Sequence, residues 1–207
     1  MISTERDLSP AIDCGNAAGC ITAPTIFKEL GMEVTELFCD IDGSFPNHHP
    51  DPTEDHNLVD LIAEVQKGGY DFGVAFDGDA DRAVFVDHQG TVLSGSALTG
   101  IIGEWYLESY PKSKIVHNLN VSPEVLDRLS SKGAVLIRSR VGHSFIKQLM
   151  HEEDAIFGGE HSAHFYYKDN YYADSGNLTL LILLLIMSQK NKTEHLNIKP
   201  ENILYDQ

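Results

Sequence analysis

Short apolar runs rich in β-branched and aromatic residues alternate along this chain with stretches whose apolar residues recur at helical spacing. That alternation constrains the fold more than any other feature, because strand, helix and strand in succession build a parallel or mostly parallel sheet with helices on its faces. Two such cycles are legible. In the first, Ala11 to Cys14 reads as a strand, Ala23 to Leu30 as a helix that stops at Gly31, and Val34 to Phe38 as a second strand. A second helix follows from Asn57 to Gln66, with Leu58, Leu61, Ile62 and Val65 on one face. Asp71 to Phe76 and Ala83 to Asp87 are strands flanking an acidic loop, and a helix around Leu98 to Tyr110 closes the cycle.

Pro111 and Lys112 mark a boundary, since a helix stops ahead of a proline and Lys114 to His117 starts a fresh strand just beyond. The second cycle has a helix from Pro123 to Ser130 with its proline near the first position, a strand from Val135 to Ile137, and a helix from His143 to His151. A short strand at Ala155 to Phe157, a loop, the aromatic segment Phe165 to Tyr167 and an apolar helix from Leu178 complete it. The shared order of elements suggests a structural duplication. The expected fold class is α/β, as two consecutive three-layer α/β domains with mixed, mostly parallel sheets. The first would cover residues 1–110, the second 111–192, and a polar tail or linker start 193–207.

Composition excludes several function classes. Among 207 residues, 15 Lys and Arg stand against 31 Asp and Glu, a formal charge of −16, so no clustered cations are expected for a nucleic-acid backbone. The longest apolar run, Leu178 to Met187, falls well short of the roughly 20 residues a membrane span needs, and reads as a buried core helix. The 3 cysteines, Cys14, Cys20 and Cys39, form no disulfide framework, and Met1 to Pro10 has no signal-peptide pattern. A reducing, cytoplasmic setting is the expectation.

The sharpest local feature is Phe76-Asp77-Gly78-Asp79-Ala80-Asp81-Arg82, with carboxylates at alternate positions directly after an apolar strand. Hard oxygen donors converging at a strand end suit Mg²⁺, which prefers octahedral oxygen ligands and keeps positions open for water or phosphate. Arg82 would hold a phosphate oxygen beside that metal. An EF-hand fits Asp77, Asp79 and Asp81 but fails at Arg82, where its sharp turn needs glycine, and at His88, where its bidentate Glu belongs. A phosphatase with Asp77 as nucleophile has the same spacing and stays open.

With Phe45-Pro46-Asn47-His48-His49-Pro50-Asp51-Pro52 upstream and Gly158-Gly159-Glu160-His161-Ser162-Ala163-His164 downstream, the loop resembles the α-D-phosphohexomutase superfamily, in particular bacterial phosphomannomutase/phosphoglucomutase. Asp13-Cys14-Gly15-Asn16 and Arg140-Val141-Gly142-His143-Ser144-Phe145-Ile146-Lys147 are similar to it too. The resemblance implies four domains around a cleft, of which this chain matches the second and third. The phosphoserine loop and the phosphate-binding loop of the outer domains have no counterpart here, and those domains would be partners in function. It implies Mg²⁺ on Asp77, Asp79 and Asp81, Arg82 on the transferred phosphoryl group, and Glu160, Ser162 and His164 reading the sugar. It implies transfer between a serine and a hexose 1- or 6-phosphate, mannose or glucose, with hexose 1,6-bisphosphate as intermediate and activator.

His143, at a helix start, is a candidate general acid or base, since histidine ordinarily titrates near pH ~6.5. Lys147, one turn on, is a candidate phosphate ligand. Asn118-Leu119-Asn120 stands where some relatives carry a lysine, which leaves the proton-transfer group open. Ala163 replaces a glycine common in relatives. His48, His49 and His56 read as loop packing rather than metal ligands, and Gly15 to Gly19 as a tight strand-to-helix turn. Phe165, Tyr166, Tyr167, Tyr171 and Tyr172 read as a half-buried hairpin or a wall beside a sugar. Two rival functions remain: a non-catalytic module that binds a phosphosugar, and a sugar-phosphate phosphatase using Asp77.

Overall fold

The computed structural model describes residues 8–189, so the tail expected over 193–207 lies outside the described residues. The first sheet contains β1 (Pro10–Asp13), β2 (Thr35–Leu37), β3 (Phe72–Phe76), β4 (Ala83–Asp87) and β5 (Val92–Leu93). Helices α1 (Gly19–Glu29) and α2 (Val59–Val65) sit in its first two connections. The strand order is β2-β1-β3-β4-β5, with β1 parallel to β2 and β3, and β4 antiparallel to both its neighbours. Next come α3 (Gly95–Ser109), β6 (Lys114–His117), α4 (Pro123–Ser131), β7 (Val135–Arg138) and α5 (His143–Glu153). The chain goes on through β8 (Phe157–Gly159), β9 (Phe165–Tyr167), β10 (Ala173–Asp174) and α6 (Gly176–Gln189). Read from its other edge, the second sheet has the order β7-β6-β8-β9-β10, which repeats the first strand for strand.

The second sheet is a three-layer unit, and its own strands say so. A side chain at Gly158 would meet Met150 and Ile146 of α5, while one at the next residue, Gly159, would collide with Thr99 of α3. Successive strand residues point to opposite faces, so α5 and α3 cover the two sides. The apolar residues divide the same way. Val116, Ile146, Met150, Ala155 and Tyr166 form one cluster, whereas Ile115, Phe157, Phe165 and Tyr167 join a larger one continuous with the first sheet.

Four differences from the sequence reading have physical causes. Helix α3 packs on α4 and β8, so the change of sheet falls ahead of Gly95 rather than at Pro111. Tyr106 of α3 stacks on Phe157 at 5.8 Å, which places this helix in the second unit's core. Helix α1 starts at Gly19 and absorbs Pro24, at the loss of one bond to the Cys20 carbonyl. Strand β8 starts two residues late because Asp154 turns left-handed (φ 53°) and the Ala155 N–H returns to the Met150 carbonyl at 2.9 Å, still capping α5. β5 and β10 went unread because two-residue strands carry no alternation.

The apolar helix is buried as expected. Helix α6 reaches β4 of the first sheet and touches α3, while its Thr179 hydroxyl bonds the Tyr167 hydroxyl of β9 at 2.6 Å. Among the described residues no helix is long and apolar enough to cross a membrane.

Because one apolar cluster runs through both sheets, they should unfold together. Phe157→Ala should cost about 3–5 kcal/mol and lower the urea midpoint. Fluorescence of Trp105, the single tryptophan, and far-ultraviolet circular dichroism should move together; separate transitions would contradict a shared core.

Candidate functional site

Ligand sites in such sheets lie off the carboxyl ends of the parallel strands, and both sheets place their polar residues there. Asp77 follows β3 directly and is buried, at 3% exposure. Its Oδ1 accepts from the Arg82 backbone N–H at 3.1 Å, and its Oδ2 from Arg82 Nε at 2.7 Å. The Arg82 Nη1 donates to Asp51 Oδ1 at 3.1 Å. Asp51 belongs to the proline-rich loop, which His48 fastens to the end of β1 through Asp13 Oδ2 at 3.0 Å. That contact, with the Phe38 ring edge-on to His48 at 5.3 Å, packs His48 into the loop.

Carboxylate oxygens of Asp77, Asp79 and Asp81 come within 4.8 Å of one another. Asp79 is exposed, whereas Asp81 Oδ1 is buried without a hydrogen-bond partner. Its nearest cationic candidate, His164 Nε2, stands 3.5 Å away, too long for a hydrogen bond. Burial, then the charges of Asp77 and Asp79, push the Asp81 carboxyl up to about 7. An unpartnered oxygen among clustered carboxylates, with Arg82 already committed to Asp77 and Asp51, fits a hard divalent cation such as Mg²⁺.

Asp81 also lies in a second group with His164 and Asp174. There Lys147 Nζ already neutralises Asp174 Oδ1 at 2.6 Å, so the first group has the greater need of a cation.

The second loop is built differently. Glu160 follows β8 and is 2% exposed. Its Oε1 accepts from the Tyr166 hydroxyl at 2.6 Å, and its Oε2 from Asn118 Nδ2 at 3.1 Å and the Gly142 N–H at 3.4 Å. Burial and the bond to Glu160 raise the Tyr166 hydroxyl well above its ordinary value. Ser162 Oγ lies 3.1 Å from His164 Nδ1, and the His164 ring stacks on Tyr166 at 6.3 Å. Burial holds the His164 imidazole below the ordinary histidine value.

The structure therefore brings Asp77, Asp79, Asp81, Arg82, Glu160, Ser162 and His164 together. Lys147 reaches the group through Asp174 and sits over the Tyr166 ring at 5.7 Å. His143 stands exposed at the first residue of α5, and among the described residues no hydrogen bond or ion pair ties it to the aspartates or Glu160. Sequence reasoning missed Asp51, Asn118, Tyr166 as a donor, and Asp174. Asp51 lies within the Phe45 to Pro52 stretch, and Asn118 directly follows a strand, as Asp77 does.

The raised Asp81 carboxyl sets a pH dependence for the cation-free chain. Its folded value, about 7, exceeds the unfolded 3.8, so the folded state holds the extra proton and stability falls as pH rises from near 4 through 7. Asp81→Asn should raise the thermal midpoint at pH 8 in chelator and leave it unchanged near pH 3. An equal shift at both pH values would sink this account.

Comparison with known proteins agrees with the geometry. The family models for phosphoglucomutase/phosphomannomutase α/β/α domains II and III match residues 2–90 and 94–199, and they meet just ahead of α3. A phosphoglucomutase of Neisseria meningitidis is 38% identical over 204 residues, covering 98% of this chain and 44% of that protein. A phosphomannomutase of Methanocaldococcus jannaschii is 41% identical over 187 residues, covering 90% of this chain and 42% of that one. A crystal structure of a phosphoglucomutase/phosphomannomutase family protein from Burkholderia thailandensis superposes with a TM-score of 0.87 at 35% identity, covering 91% of this chain and 41% of that one. The chain thus spans less than half the length of these relatives. Over that span it belongs to the phosphoglucomutase/phosphomannomutase family of the α-D-phosphohexomutase superfamily.

Proposed function

We propose that these residues are the metal- and sugar-binding portion of a phosphohexomutase, which interconverts hexose 1-phosphate and hexose 6-phosphate through a hexose 1,6-bisphosphate. The phosphoserine that carries the phosphoryl group lies, in this reading, outside these 207 residues. One observation carries the proposal: Arg82 and His164 form an antiparallel bridge, so the aspartate loop and the Glu160 loop open on one site.

In this proposal Asp77, Asp79 and Asp81 hold Mg²⁺, which when bound neutralises charge on the phosphoryl oxygens. Arg82, kept beside them by Asp51 and Asp77, orients the phosphoryl group. Glu160, with its carboxylate fixed by Tyr166 and Asn118, accepts from one ring hydroxyl, and Ser162 and His164 contact its neighbours. Glucose and mannose share the hydroxyls this loop would read, so both fit. Lys147, held by Asp174, is the candidate phosphate ligand at the sugar end, and His143 at the start of α5 stays a candidate for the proton transfer. The cation would supply the local positive field that an anionic substrate needs on a chain of net charge −16, since Arg82 and Lys147 already balance Asp77, Asp51 and Asp174. A phosphatase using Asp77 has less support, because the relatives that match over most of this chain are named phosphoglucomutase and phosphomannomutase. A cytoplasmic location belongs to the same proposal.

The test is phosphorus NMR of mannose 1-phosphate and hexose 1,6-bisphosphate with this chain. The expected result is Mg²⁺-dependent broadening of the bisphosphate, lost in Asp79→Asn, and no new signal. Release of inorganic phosphate would favour the phosphatase. A 6-phosphate signal would place the phosphoryl carrier inside these residues, and no Mg²⁺-dependent binding would overturn the reading.

A further inference from the structure

All 3 cysteines gather at one end of the first sheet, beside the aspartate loop but outside it. Cys14 is the residue after β1, and Cys39 comes two residues after β2, the parallel neighbour of β1. The Cys14 N–H donates to the Leu37 carbonyl at 3.2 Å, keeping the two strand ends in register. Phe38 then turns left-handed (φ 51°), and the Cys39 Sγ comes to 3.2 Å from the Cys14 Sγ. Cys14 is wholly buried and Cys39 is half-buried, so one member of the pair is reachable from solvent. Cys20 Sγ donates to the Phe38 carbonyl at 3.5 Å, as Cys39 Sγ does to the Leu37 carbonyl at 3.3 Å.

Sulfurs in contact on neighbouring strands need only about 1.2 Å of closure to reach the ~2.05 Å of a bond. We propose that Cys14 and Cys39 form a dithiol site that takes a low-molecular-weight disulfide, of the glutathione disulfide class, as oxidant and closes to a reversible intrachain disulfide. Cys39, as thiolate, attacks one sulfur of the oxidant, breaking its S–S bond and releasing one thiolate. Cys14 then attacks Cys39 Sγ of the mixed disulfide and expels the second thiolate. The two protons lost by the cysteines go to the two thiols released, so a two-electron oxidation of the chain balances reduction of the oxidant.

The bond would fasten the loop that begins at Cys39 to the end of β1. That loop carries His48, which grips Asp13 next to Cys14, and Asp51, which holds Arg82. Oxidation would therefore brace the support of Arg82 and add nothing to the site itself.

The test incubates the chain in glutathione buffers of graded ratio, quenches with acid, alkylates, and maps the unreduced peptides by mass spectrometry. A Cys14–Cys39 cross-link with Cys20 alkylated is expected. The thermal midpoint should rise by about 5 °C or more and fall back in dithiothreitol. Cys14→Ser should stop the reaction at a glutathione adduct on Cys39. A cross-link through Cys20, a lasting adduct on Cys39 of the unsubstituted chain, or full thiol retention in a buffer that oxidises the unfolded chain would overturn the proposal. The peptide map of the unsubstituted chain decides the matter even if the variant does not fold.

Discussion

Arg82 stands where the two sheets meet, and both loops take their positions from it. Its backbone N–H and Nε clasp Asp77, its Nη1 reaches Asp51, and its main chain bridges to His164 in the other unit. Behind it, α6 begins so close that a side chain at Gly176 would lie 2.7 Å from the Arg82 carbonyl oxygen, an approach only glycine permits. Removing the guanidinium would strand the buried Asp77 carboxylate and leave Asp51 to its Thr53 donors alone, without a counter-charge. Loss of a single partner from such a cluster costs more than any one of its bonds contributes.

The two loops are versions of one turn. In each, an acid directly follows a parallel strand, and its carbonyl accepts from the N–H three residues on, Asp77 from Ala80 and Glu160 from Ala163, both at 3.2 Å. Both alanines are left-handed, at φ 61° and 64°, a strained conformation for a residue with a Cβ. With the matching strand order this makes the duplication structural as well as patterned. The copies differ in how the acid is satisfied. Glu160 is met by protein donors, which fix a carboxylate for hydrogen bonding, while Asp81 is left with an oxygen that protein does not meet.

What was legible in the sequence was local. Asp77, Asp79, Asp81 and Arg82 lie in one heptad of residues, and Glu160, Ser162 and His164 in another, so short-range motifs display them whole. Tyr166, Asn118, Asp51 and Asp174 act through contacts between distant segments, and spacing along the chain carries no record of those. The same limit explains α3. Its apolar residues face most of the way round, so periodicity announces a buried helix without naming the sheet that buries it. Proline punctuation then drew the boundary at 111, whereas packing draws it ahead of Gly95.

Crowding carboxylates at Asp81 has a consequence beyond the choice of ligand. The oxygens that would hold a cation are the ones that take up a proton near pH 7 when no cation is there. Proton and metal would therefore compete for one set of lone pairs, and cation affinity would rise as pH passes through that range. Asp174 does not join the competition on equal terms, because Lys147 already balances it. The array is costly when bare, so a cation seated there would relieve the repulsion that weakens the loop.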